Sequence, residues 1–151
     1  MKHKIPVFIF IILTIMVIAG ALMCIFWLPA ALAYMAKFLP CAPLGWICGV
    51  IAVPFFVILL SAFAFPGAVA RDSIFSPKTA KLIHGISIAL FVDCLLLAVL
   101  ALRLLCAGEN LLSPALVFVA LIGVTVACML FILARYVDCA AILKEEADAT
   151  L

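Results

Sequence analysis

Four long apolar runs alternate with short polar interruptions along this chain. No charged residue occurs from Ile5 to Ala36 or from Phe38 to Ala70. A third run, Leu82 to Leu102, carries a single acid, Asp93, and a fourth, Asn110 to Ala134, carries no charge. A transmembrane helix needs about 20 mostly apolar residues to cross a hydrocarbon core of ~30 Å. Every run meets that length. The pattern predicts an all-α, integral membrane four-helix bundle, a single transmembrane domain over 1–151 with spans near 5–28, 44–68, 82–105 and 113–136 and a tail over 137–151.

Prolines and serines punctuate these spans. Pro29 is expected to end the first, since it has no N–H to donate inside a helix; Ala30 to Leu39 then reads as a helical segment lying along the interface. Trp27, Tyr34 and Trp46 flank it, as rings that settle at headgroup level do. Pro54 predicts a kink inside the second span, and Pro66-Gly67 mark its end. Ser76-Pro77 reads as a helix start, Ser76 as N-cap and Pro77 at the first helical position. Ser113-Pro114 repeats that arrangement after a tight turn over Ala107 to Asn110. Beyond this Ser-Pro start, no internal repeat is recognised. The last helix is expected to run on into the tail.

Charge adds an orientation. With the N-terminus inside, Lys2, Lys4, Arg71, Lys78, Lys81, Arg135 and Lys144 are cytoplasmic, while only Lys37 and Arg103 fall outside. Seven against two in short loops is a strong positive-inside bias. Both termini are thus expected in the cytoplasm. The first apolar run is longer than the roughly 7–15 residues of a signal h-region, so it is read as an uncleaved helix.

Composition agrees with the pattern. The chain is 72% hydrophobic and 11% charged, with a mean hydropathy of +1.55; a soluble domain is about 25% charged. Its net charge of +2 gives no basis for direct nucleic-acid binding. Most of its seven cysteines fall in apolar runs, where a thiol packs as a small hydrophobe. Cys41 and Cys48 share the expected external loop, leaving a disulfide or two free thiols open.

Asp93 is the candidate intramembrane polar site. An acid midway through a span is costly and reads by default as an ion or proton site. The structural alternative is a protonated carboxyl hydrogen-bonded to a neighbouring helix, with Thr14, Ser61, Ser87 or Thr125 as partner. His84, near the start of the third span, lacks a second ligand at metal spacing. No hydrolase, metalloprotease, phosphate-loop or dinucleotide motif occurs. The expectation is a non-enzymatic protein with no catalytic residue, cofactor or metal.

Two polar stretches share the expected cytoplasmic side. The loop offers Arg71, Phe75, Ser76, Pro77, Lys78 and Lys81; the tail offers Lys144, Glu145, Glu146 and Asp148. Val137, Ala140, Ala141 and Lys144 fall on one side of a tail helix, a face that suits a partner or simply a solvated end. Basic loop and acidic tail are able to pair with each other, each exposed pair contributing ~0–1 kcal/mol, which suits a reversible switch.

The loop Ile74-Phe75-Ser76-Pro77-Lys78 and the ending Ala140-Ala-Ile-Leu-Lys-Glu-Glu-Ala-Asp-Ala-Thr-Leu151 resemble the domain of unknown function 2975 family over essentially the whole chain. Its members look like small bacterial four-span proteins with an F-S-P loop and an L-K-E-E-x-D-x-T ending. This chain departs in its Ala-Thr-Leu finish and its wealth of cysteine. The resemblance implies the bacterial cytoplasmic membrane, no assigned chemistry, and a small cytoplasmic helix-turn-helix regulator as partner. The resulting expectation is an interaction or sensor protein. The alternative is a small transporter or channel using Asp93, built as a homo-oligomer because four helices rarely enclose a pathway alone.

Overall fold

The computed structural model describes residues 4–40, 43–71 and 74–150. These form five helices: α1 (Lys4–Ala36), α2 (Leu44–Ala62), α3 (Ala64–Ala70), α4 (Pro77–Cys106) and α5 (Leu112–Thr150). Four helical stretches, with α2 and α3 counted together, are long and apolar enough to cross a membrane. The architecture is that of a multi-pass membrane protein.

One proline expectation needs correction. Pro29 lies inside α1, which continues to Ala36, so Ala30 to Ala36 extend the first helix and form no separate interfacial segment. A proline is tolerated in a membrane helix when the freed carbonyl finds another partner. In the second span Pro54 lies inside α2, and a separate interruption falls at Phe63, between α2 and α3. Pro66 accounts for that position. It has no N–H for the Ala62 carbonyl four residues back, and its ring crowds that oxygen. Cys48, assigned to a loop from the sequence, is a free thiol within α2; Cys41 lies outside the described residues.

The Ser76-Pro77 start holds. The Ser76 Oγ accepts from the Thr79 N–H at 3.3 Å, and Pro77 is the first residue of α4. Its repeat does not hold. Helix α5 begins at Leu112, one residue before Ser113, and Ser113 is spent elsewhere.

Helices α4 and α5 make the main interface. The buried residues of α4 include Ala80, Ser87, Cys94 and Ala101, and those of α5 include Ser113, Ala120, Ala127, Ala134 and Ala141. Both sets recur every seven residues. Each is a seam of small side chains, the spacing of a left-handed helix pair and the composition that lets backbones approach closely in lipid. Ser87 Oγ donates to the Ala127 carbonyl at 2.7 Å, and Ser113 Oγ donates to the Ala101 carbonyl at 2.7 Å. One serine from each helix therefore bonds across the seam. Between them Gly123 leaves the space that Cys94 Sγ occupies.

Larger side chains close both ends of this pair. Met35, Leu100 and Leu104 form one buried cluster, ringed by Leu32, Phe38, Ile47, Ile51, Leu112 and Leu116. Ala80, Ile83, Ala134 and Val137 form the other, joined by Phe65 of α3 and Leu130. The first apposes the ends of α1 and α4 to the starts of α2 and α5. The second ties α3 to the hairpin at the opposite end.

Candidate functional site

Asp93 sits on α4 one residue before the seam cysteine, Cys94. Its Oδ1 is buried and has no hydrogen-bond partner. The expected neutral partners are not there. Thr14 Oγ1 bonds the Phe10 carbonyl of its own helix, Thr125 Oγ1 bonds the Leu121 carbonyl, and Ser87 is committed to Ala127. Nor does Ser61 bond the buried Oδ1. Among the described residues, Asp93 is not part of the lining of four cavities beside α4: one facing α2, two facing α5 and one facing α3.

The basic loop residues gather around the first turns of α4 but divide between two cavities. Arg71, Ser76 and Lys78 border a space of about 640 Å³ between α3 and α4. Lys81 borders a second, of about 340 Å³, together with His84, Arg135 and Asp138. There the His84 ring lies 5.1 Å from that of Phe131, tilted by 48°. Phe75 on the loop and Pro77 at the start of α4 are exposed beside them. The Ser76 hydroxyl also shares a hydrogen bond of 3.0 Å with the Thr79 hydroxyl, so its role is to fix the start of the helix.

The tail residues stand apart from this loop. Helix α5 has 39 residues, roughly 58 Å at 1.5 Å per residue, well beyond a hydrocarbon core of ~30 Å. Its buried positions end at Ala141, and every residue from 142 to 150 is exposed. Lys144, Glu145, Glu146 and Asp148 all lie on that free extension. Among the described residues, no ion pair links Arg71, Lys78 or Lys81 to the tail acids.

At the other end of the bundle is a site that the sequence reading missed. Glu109, in the turn between α4 and α5, is only 1% exposed. Its Oε1 accepts from the Tyr34 hydroxyl at 2.9 Å and from the N–H groups of Leu111 and Leu112, both at 2.8 Å. Its Oε2 accepts from the Ser113 N–H at 2.7 Å. A carboxylate thus caps the first turn of α5, where unpaired N–H groups and the helix dipole favour negative charge. Gly108, at φ +87°, bends the chain into the conformation that brings Glu109 under the helix start. Burial pushes the Glu109 carboxyl up, but the amides of Leu112, Ser113 and Leu111 and the Tyr34 hydroxyl together hold it below the usual glutamate range. A lone acid just before an apolar run is a helix-start signal. Its contact with Tyr34 ties the end of α1 to the hairpin turn.

Comparison with protein-family models matches the chain to a family described as "Protein of unknown function (DUF2975)", over residues 30–151. The matched region takes in the loop and tail motifs and leaves most of α1 outside it. Neither curated proteins nor solved structures give a match.

Proposed function

The chain belongs to the DUF2975 family, and from that premise we propose that it is a non-enzymatic membrane protein whose α5 extension engages a cytoplasmic helix-turn-helix regulator. One observation carries the reading: α5 continues past its last buried residue, Ala141, as a fully exposed helix over 142–150. Nothing in the described part of the chain packs on it. It presents Ile142 and Leu143 beside Lys144, Glu145, Glu146 and Asp148, so apolar contact and charge selection are both available to a docked helix. The regulator itself enters through the family resemblance, and the side of the membrane through the distribution of lysine and arginine.

The test compares the full chain with one truncated after Ala141, a cut that keeps every buried residue of α5. The expected result is that a helix-turn-helix protein is enriched from native membranes by the full chain and lost with the truncation. Recovery of the same proteins by both, or of none by either, defeats the reading.

A second reading rests on Asp93. A buried carboxyl oxygen without a partner is retained at a cost, and a small oligomeric transporter or channel would put it to use on an ion or proton. Flux in reconstituted vesicles should then fall in Asp93→Asn while the bundle remains folded. Unchanged flux with every cation tested removes this alternative.

A further inference from the structure

We propose that the cavity between α3 and α4 binds an anionic phospholipid, with Arg71 and Lys78 holding the phosphate and Phe63 and Leu82 lying along an acyl chain. The cavity measures about 640 Å³ and has its polarity sorted along one direction. Along α3 the lining runs from Phe63 through Gly67 to Arg71. On α4, which returns into the bundle, it runs from Lys78 to Leu82. Both cations therefore sit at the loop end and both large apolar side chains at the membrane end. A soluble anion needs only the first half of such a site. A phospholipid, charged at one end and apolar at the other, matches both.

The cations are available for that role. Among the described residues neither Arg71 nor Lys78 has a carboxylate partner; Asp72, next in sequence to Arg71, lies outside the described residues. The Ser76 hydroxyl is occupied at the helix start, which leaves the two cations as the phosphate ligands. Phe63 is a fixed wall, its ring packed edge-on against Phe10 at a centroid distance of 5.8 Å. Gly67 borders the cavity, and the space beside it is open, for a Cβ added there meets no atom within 4 Å. Basic pockets between membrane helices select anionic headgroups, each cation giving roughly a fivefold preference. The assignment stands independently of the docking proposed for the end of α5.

Native mass spectrometry of the full chain in neutral detergent tests it, with phosphatidylglycerol and phosphatidylcholine of matched acyl chains as probes and inorganic phosphate as competitor. The expected result is preferential retention of phosphatidylglycerol that inorganic phosphate does not displace. The paired change Arg71→Gln and Lys78→Gln should reduce that preference by roughly 25-fold, while Lys37→Gln with Arg103→Gln, outside this cavity, should leave it unchanged. Gly67→Leu supplies a second variant, since it fills the cavity without meeting another atom at its Cβ and should lower retention of both lipids. Equal retention of the two lipids by the native chain overturns the proposal, as does an undiminished preference in the Arg71 and Lys78 variant. Full displacement by inorganic phosphate also overturns it and makes the site one for a free anion. If the paired variant does not fold, undiminished retention in Gly67→Leu is decisive against it.

Discussion

Gly123→Ala offers a direct test of the α4–α5 seam because its effect should change sign with the residue opposite. A Cβ at Gly123 would overlap Cys94 Sγ. The sulfur is able to swing about one torsion, but one of its three staggered positions is disfavoured in a helix, and the residue is only 3% exposed. Overpacking of this kind costs about 1–3 kcal/mol. Against it stands the better helix propensity of alanine, about 1 kcal/mol over glycine. The single change should therefore lie between neutral and about 2 kcal/mol destabilising. With Cys94→Ala already in place the overlap is gone, and the same change should stabilise by up to about 1 kcal/mol. The coupling between the two sites is then about 1–3 kcal/mol, within reach of a double-mutant cycle. Reversible unfolding in mixed micelles, followed by circular dichroism, reads all four variants. If Gly123→Ala has the same effect in both backgrounds, the two side chains do not meet and the helix pairing described above is wrong.

Other consequences can be measured in the same micelles. Ser87→Ala and Ser113→Ala should each cost about 0.6 kcal/mol, with an upper limit of about 1.7; no loss in either would reject the cross-helix bonds. Glu109 has a lowered folded-state pKa, so its contribution is complete above the ordinary carboxylate range and fades only as pH falls through the lower folded value. Glu109→Gln should thus lower the melting temperature at neutral pH and shrink its acid dependence, and an unaltered pH profile would refute the cap. Asp93→Leu should raise stability by about 1–3 kcal/mol by removing a buried oxygen with no partner; a loss would reveal a structural role. Truncation after Ala141 should shift unfolding by less than about 0.5 kcal/mol, and a larger change would mean that residues 142–150 pack on the bundle.

The signals that carried over from sequence to structure are local ones. An apolar run states its own length, so four membrane-length helices could be read without knowing their neighbours. Ser76 and Pro77 identify the start of α4 because an N-cap oxygen and a missing N–H act within one turn. Pro29 misled for the opposite reason. Whether a proline ends a membrane helix depends on what else satisfies the freed carbonyl, and that is set by packing. The family resemblance, too, was legible in two short stretches, the loop and the ending, where polar residues stand out from the apolar background, and the family match spans both.

The seam was present in the sequence and still escaped notice. Ala80, Ser87, Cys94 and Ala101 recur every seven residues, as do Ser113, Ala120, Ala127, Ala134 and Ala141. In a soluble helix such a face is marked by polarity, because its other side meets water. Here both sides are apolar, and the buried face differs from the lipid-facing one only in size. A period in residue volume is therefore the pattern to seek in runs of this kind. Glu109 and Asp93 fail differently. Their charges are plain, but the burial of Glu109 depends on Tyr34, 75 residues away, and the neighbours of Asp93 depend on how α4 is rotated. That rotation is fixed by the small-residue seam: with Cys94 turned into α5 against Gly123, Asp93 is turned about 100° away around the helix, clear of the seam serine Ser87 and of Thr125. The orphaned carboxyl and the close helix pair thus have one cause, and a substitution that rotates α4 by relieving the contact of Cys94 with Gly123 should change the surroundings of Asp93 as well.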